Sequence, residues 1–284
     1  STDVARYRAG DLDMTNYGLP PEQFAKLQKE LPGEVYITRT LATYSYELNN
    51  KKAPFDNVNV RKALNLSLDR NVITDKVLGQ GQTPTYVFTP TYIEEGQLIQ
   101  QPAYSKEPMA QRNEEAIKLL EEAGYSKANP LKFSILYNTN ENHKKVAIAA
   151  ASMWKANTKG LIDVKLENQE WKTYIDSRRA GRYDAARAGW NADYNQATTF
   201  GNYFLSNSSN NTAKYANPEY DKAIAESYVA TDAEGRAKAY AKAEEILAKD
   251  FGIVPIFNYV NPRLVKPYVK GYSGKDPQDH IYLR

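Results

Sequence analysis

Arg187-Ala-Gly-Trp-Asn-Ala-Asp-Tyr-Asn-Gln196 is the stretch on which the reading of this chain turns. Just before it, Tyr183 to Ala188 alternates small and larger residues, as a strand rising out of a sheet does. Beyond it, Thr198-Thr-Phe-Gly-Asn-Tyr-Phe-Leu205 is apolar enough to begin a helix or a packed turn. The end of a strand is where an α/β fold presents side chains to a ligand. Gly189, with no Cβ, would let a ligand backbone approach. Asp193 suits a cationic group, Trp190 a flat apolar wall, and Arg187 an anion. A structural alternative stays open at this point, in which Arg187 pairs with Asp193 and Trp190 is core.

Working outward, strand and helix patterns alternate. Leu131–Tyr137 reads as a strand, 143–156 as an Ala-rich helix, Ile162–Glu167 as a strand and Trp171–Arg179 as a helix leading into Tyr183–Ala188. That rhythm is the signature of βαβ units and predicts an α/β fold with a largely parallel central sheet flanked by helices. Earlier, Ser1–Gly10 and Pro20–Pro32 read as short helices, Asp11–Asn16 as a strand, and Glu34–Leu48 as a long alternating strand. Helices are expected over 59–70, 72–78 and 111–123, with Gly124 as the residue that ends the last of them. Two more follow, 218–229 and 232–249, the second with Thr231 and Glu234 at capping-box spacing. Ile253–Val265 carries two prolines, which places it at an edge or crossing. Residues 79–109 are irregular over a length that is usually functional or wraps the surface.

Composition narrows the function classes. The net charge of +3 is spread among interspersed charges, so no nucleic-acid surface is indicated. No apolar run approaches the length of a membrane span. The absence of cysteine rules out thiolate zinc sites, thiol nucleophiles and disulfides. Two histidines, His143 and His280, are too few for a metal centre, and no cofactor is implied. The glycines near 79–81 lack the strand–helix frame and Lys-Ser/Thr ending of a phosphate loop. Ser1–Gly10 lacks the pattern of a signal peptide. Tyr, at 22 residues against 8 Phe, suits surfaces that touch ligands as well as sheet edges.

Several blocks carry a specific resemblance: Tyr137-Asn-Thr, His143-Lys-Lys, Asn168-Gln-Glu-Trp-Lys-Thr, Arg187-Ala-Gly-Trp, Ala192-Asp-Tyr-Asn, Leu205-Ser-Asn-Ser-Ser and Arg263-Leu-Val-Lys-Pro. Together they make the chain, over essentially all its length, similar to the oligopeptide-binding members of bacterial solute-binding protein family 5. These are the periplasmic receptors of ABC importers. The resemblance implies a periplasmic-binding-protein fold (type II, cluster C), with residues 1–41 as a remnant of lobe I, 42–260 as the complete second ligand lobe, and 261–284 as the return to lobe I. It also implies a C-terminal piece of a longer, secreted, periplasmic protein. Its partners would be short oligopeptides of varied sequence and the membrane permease subunits of the importer.

Carried over residue by residue, the resemblance gives Asp193 the peptide α-ammonium and makes Trp171 and Trp190 walls of side-chain pockets. Arg178, Arg187 and His143 become cationic receivers of the C-terminal carboxylate, and Gly189 lies along the peptide backbone. Asn138, Tyr44 and Tyr259 are candidates for the cleft rim, with a structural role open for both tyrosines. Many enteric members join positions matching Ala42 and Asn191 by a disulfide; here neither is cysteine, so a looser loop is expected under Asp193. Two other readings stand beside this one. One is a murein-peptide receptor of the same family. The other is a glycoside-binding or hydrolysing enzyme using Asp193 and Trp190, with Asp184 as the second carboxylate.

Overall fold

A computed structural model describes residues 2–16 and 18–281. Its centre is one six-stranded sheet in the order β2-β6-β1-β5-β3-β4. The strands are β1 (Val35–Leu48), β2 (Thr83–Pro84), β3 (Leu131–Asn138), β4 (Ile162–Gln169), β5 (Ala185–Asn191) and β6 (Ile253–Leu264). β3-α5-β4-α6-β5 forms the expected parallel run, with α5 (Glu141–Asn157) and α6 (Trp171–Arg179) as crossovers. The expectation of a largely parallel sheet is corrected by the other half, since β1 pairs antiparallel with β5 and β6, and β6 with β2. Alternation in a sequence identifies a strand but carries no information on its partner's direction. β1 and β6 lie outside the βαβ run and reach the sheet through other connections.

β1 is the spine. Its residues 41–48 are all buried, because neighbouring strands cover its edges and helices cover both its faces. On one face Tyr44, Tyr46 and Leu48 join Phe133, Ile135 and Trp154 in the main core. Trp154 of α5 is fully enclosed, and its indole N–H donates to the Leu64 carbonyl at 2.9 Å, closing α3 (Val58–Leu66) onto α5. On the other face α6 covers Leu136 and Ala186. α7 (Thr198–Gly201), α8 (Pro218–Val229) and α9 (Ala233–Lys249) build a second core around Phe88, Phe200, Tyr203 and Phe204. Pro255 and Pro262 are tolerated in β6 because only the two residues of β2 pair along its outer side.

The β1–β6 ladder breaks between Arg39 and Thr43. Residues 35–39 pair with 260–264, beside a separate small core in which α1 (Thr2–Ala9) and α2 (Pro21–Glu30) pack on Leu264. Asp11–Asn16 forms only a single bridge, Met14 to Val265, instead of a strand. Residues 72–78 wind as a π-helix, and α4 covers Met109–Glu122. α9 is capped by Asp232, which accepts from the Gly235 N–H at 2.7 Å, and not by Thr231. β5 runs three residues beyond the expected strand, so Arg187 to Asn191 lie within the sheet and only 192–197 form the turn.

Candidate ligand cleft

The ends of β5, β1 and β6 that lie towards the ladder break surround an open cavity of about 700 Å³. Trp171, Arg187, Gly189, Asp193 and Tyr259 line it, five of the ten residues singled out from the sequence. Strand pairing explains the convergence. Arg187 and Gly189 point to one face of β5, opposite Tyr46 and Tyr44 of β1, and Tyr259 follows Phe257 on β6 by the two-residue period of a strand. Trp171 stands at the first turn of α6 with 58% of its surface exposed, unusual for a tryptophan that merely packs.

Arg187 defines the electrostatics. Its Nη2 donates to the Tyr259 hydroxyl at 2.5 Å, its Nη1 reaches the Asn138 side-chain carbonyl at 3.4 Å, and the guanidinium sits 5.2 Å from the Tyr44 ring centroid. Its Nε is buried without a hydrogen-bond partner. Among the described residues Arg187 makes no ion pair: each polar group it meets is neutral. Its half-buried, permanent charge is thus left unbalanced by any carboxylate among the described residues. The alternative in which Arg187 pairs with Asp193 is therefore not realised. Asp193 is exposed on the turn, held through its own N–H to Thr199 Oγ1 at 3.2 Å.

Gly189 lines the cavity and also leaves room within the protein itself. A Cβ there would lie 2.7 Å from Arg187 Nη2 and 3.1 Å from the Tyr259 hydroxyl. The missing side chain makes room for the folded-back guanidinium.

Three of the remaining residues form a layer around this lining, and a fourth, Trp190, read as a pocket wall, lies apart from it. Tyr44 is enclosed, stacked on Phe257 at 4.7 Å and 22°, so it is core beneath Arg187 and not cleft rim. His143, at the start of α5, packs 5.6 Å from the Tyr44 ring, and burial together with the Arg187 charge lowers its pKa to about 3. In the ligand-free cleft these two effects favour the neutral imidazole over the cationic group that the resemblance implies. Asn138 ends β3 and touches the lining only through Arg187. Trp190 points to the opposite face of β5. Its ring packs edge-on against Tyr203 at 4.9 Å, and its indole N–H donates to the Thr199 carbonyl at 3.0 Å.

Arg178 is corrected outright. It is 8% exposed on the face of the sheet away from Arg187, where its Nη2 donates to Glu47 at 2.8 Å and to the Tyr203 and Thr212 hydroxyls. Tyr203 also donates to Glu47 at 2.6 Å, so the Arg178 charge is balanced inside the protein, outside the lining of the cavity. Sequence separation hid this, because Glu47 lies on β1, far from α6 in the chain. The carboxylate pair of the enzyme reading is not assembled either. Asp184 precedes β5, paired with Lys52 at 2.6 Å and Ser134 N at 3.0 Å, while Asp193 follows it. Seven strand residues at ~3.3 Å each separate them by more than about 20 Å, against roughly 5–9.5 Å for a glycosidase pair.

The sequence reading missed the lining contributed by Thr40, Leu41, Asn261 and residues 277–280. Asn261 was within reach, since it extends the Tyr259 alternation by one period. Residues 277–280 lie in an irregular tail, where periodicity gives no signal.

The profile of the bacterial extracellular solute-binding proteins, family 5 (middle region) matches residues 1–212. The chain is 96% identical over all 284 residues to the periplasmic oligopeptide-binding protein OppA of Haemophilus influenzae, covering 52% of that protein. It is 43% identical to the periplasmic murein peptide-binding protein MppA of Escherichia coli, again over 52% of its length. The crystal structure of H. influenzae OppA in complex with RPPGFSPFR superposes with a TM-score of 0.92 at 95% identity, covering 99% of this chain and 55% of that one. This chain thus spans about half the length of the curated relatives it matches. It belongs to the bacterial extracellular solute-binding proteins of family 5.

Proposed function

We propose that this chain supplies one wall of the ligand cleft of a periplasmic receptor, which captures short oligopeptides and delivers them to the permease of an ABC importer. The observation that carries the reading is the pairing of opposite, unspent charges in one open cavity: exposed Asp193 at one side and ion-pair-free Arg187 at the other. A peptide near neutral pH always has an ammonium at one end and a carboxylate at the other, whatever its side chains. Asp193 would take the ammonium and Arg187 the carboxylate or an acidic side chain, as charge-assisted hydrogen bonds. Gln278, Asn261 and the exposed face of Trp171 suit variable side chains, directly or through water. Residues 1–41 and 261–284 fit assignment to the other lobe, with 42–260 as the ligand lobe. The ladder break between Arg39 and Thr43 lies at that boundary and suits a hinge.

The resemblance of the whole chain to OppA, described as oligopeptide-binding and crystallised with a nonapeptide, supports a receptor and not an enzyme. The separation of Asp184 from Asp193 argues the same way. The test is calorimetric titration of the full-length protein with a tripeptide, its N-acetylated form and its C-terminal amide. Loss of affinity on acetylation supports Asp193 as the ammonium site. Equal affinity for all three peptides would overturn the zwitterion reading.

A further inference from the structure

The turn that carries Asp193 is held from outside by residues that never reach the cavity. Ala197 N–H donates to the Glu94 carbonyl at 2.9 Å, and Glu94 N–H donates to the Asn195 side chain at 3.1 Å. Next in the chain, Glu95 is 7% exposed and spends both carboxylate oxygens. Oε2 accepts from Gln196 Nε2 at 2.9 Å; Oε1 accepts from Arg236 Nε at 2.9 Å and Nη2 at 2.6 Å. Arg236 lies in the first turns of α9, so one carboxylate joins the 192–197 turn to a long helix.

The backbone is bent to make this possible. Glu95 has φ +64°, the left-handed region that side chains other than glycine rarely adopt. Gly96 closes the turn in space where a Cβ would lie 2.7 Å from Ile93 Cγ2 and 3.0 Å from the Pro90 carbonyl. A residue kept in such a conformation signals a surrounding structure that fixes it, and ligand sites are where such residues gather. The cross-strand partners Ala42 and Asn191, beside the same turn, carry no covalent link. Among the noncovalent restraints on the turn beyond Asn191 are the Ala192 N–H to the Leu41 carbonyl, the Asp193–Thr199 contact and the Glu94–Glu95 contacts, beside the Gln196–Thr198–Tyr240 hydrogen bonds that also reach α9.

We infer that the Arg236–Glu95–Gln196 bridge is a positioning device, which fixes the Asp193 turn at the distance needed to select a free peptide amino terminus. Glu95 and Arg236 are positioning residues and touch no ligand themselves. The inference rests on the proposed role of Asp193. The bridge matters to selectivity more than to retention. A carboxylate displaced by an ångström loses part of its charge-assisted hydrogen bond to the ammonium, while the neutral acetylated terminus, which never had that bond, is held about as before, so the ratio of the two falls.

The test is made in the full-length protein, with a tripeptide and its N-acetylated form titrated into each variant. Glu95→Gln keeps an acceptor for Arg236 but turns a donor or loses the acceptor towards Gln196. The free-to-acetylated affinity ratio is expected to fall roughly tenfold in Glu95→Gln and in Arg236→Gln. Arg236→Lys, which keeps a cation beside Glu95, should restore part of it. The double variant should be no worse than either single one, because both changes cut one path. An unchanged ratio in Glu95→Gln overturns the inference. So does an equal loss of affinity for both peptides, which is what a merely structural role predicts. Asp193→Asn separates the two levels. If it collapses the ratio while Glu95→Gln preserves it, only the bridge fails; if it leaves the ratio intact, the ammonium reading fails and takes the bridge with it.

Discussion

Arg178 and Arg187 show how far residue type falls short of residue role. Both are arginines near the same strand, yet one has a carboxylate and the other a hydroxyl, an amide and a ring. Arg178→Ala would strand Glu47 in the core, and breaking a buried pair from one side costs ~3–5 kcal/mol. Its expected phenotype is a large fall in thermal midpoint, with peptide affinity kept in the folded fraction. Arg187→Ala removes a cation that no carboxylate balances. Its midpoint should move far less, while affinity for a peptide with a free carboxylate drops by about 1.5–3 kcal/mol. Calorimetry and thermal unfolding on both variants check the contrast, and a matching pair of phenotypes would refute it. His143 offers a second check. Its folded pKa of about 3 lies below the ordinary 6.5, so it stays neutral in the fold while the unfolded chain takes a proton. The stability this neutral imidazole contributes is complete above pH 6.5 and is lost progressively as pH falls towards 3, with a slope of up to about 1.4 kcal/mol per pH unit. His143→Gln should flatten that part of the unfolding-versus-pH curve, and an unaltered curve would show that the imidazole does not contribute to it.

At the scale of elements, what was legible in the sequence was whatever local periodicity encodes. The β3-α5-β4-α6-β5 run and the paired helices α8 and α9 emerged with small shifts at their ends. What stayed hidden depends on long-range partners: the direction of β1 and β6, the burial of Arg178 by Glu47, and the course of residues 79–109. That last segment is irregular but anchored. Glu244 of α9, buried, accepts from Thr89 N–H at 3.2 Å, from Thr89 Oγ1 at 2.7 Å and from the Phe88 N–H. Burial raises its carboxyl pKa against the pull of these three donors. No local pattern could show that one carboxylate on a helix fixes a loop so far away in the chain. Glu244→Ala would leave those donors unpartnered in the core beside Phe200 and Phe204, at a cost of ~1–3 kcal/mol for each one left unsatisfied. The expected result is a lowered unfolding midpoint and faster amide exchange at residues 88 and 89. Exchange unchanged at those two amides would show that the loop is held by its aromatic packing instead.

For the molecule as a whole, stability and recognition share one sheet: the main core fills the face that carries Arg187, Gly189 and Tyr259, and the cavity takes over at the end of the same strands. The buried ion pair, the interlocked aromatics and the capped helices surround the strands. The cavity opens only where β1 and β6 leave their common ladder. The cavity-lining residues legible from sequence include Asp193, Arg187 and Trp171, whose charges or exposed ring no ion pair or core packing absorbs among the described residues. A residue with a distant partner, such as Arg178, looks identical in sequence and differs only once the chain is folded. The same geometry sets the expected behaviour of the 284-residue polypeptide taken alone. Its cavity is open on one side, and a ligand there would keep part of its apolar surface and several backbone groups in water. On the proposed reading, full-length protein adds the facing wall by hinge closure and removes that exposure. Native mass spectrometry and calorimetry on both forms, with the same tripeptide, should therefore find binding to the shorter form at least ~100-fold weaker, a difference of about 2.7 kcal/mol. The preference for a free over an acetylated amino terminus should survive in the weak binding, because Asp193 and its bridge are contained in both forms. Equal affinity in the two forms would mean that this one sheet face is the whole site, and that closure adds nothing to capture.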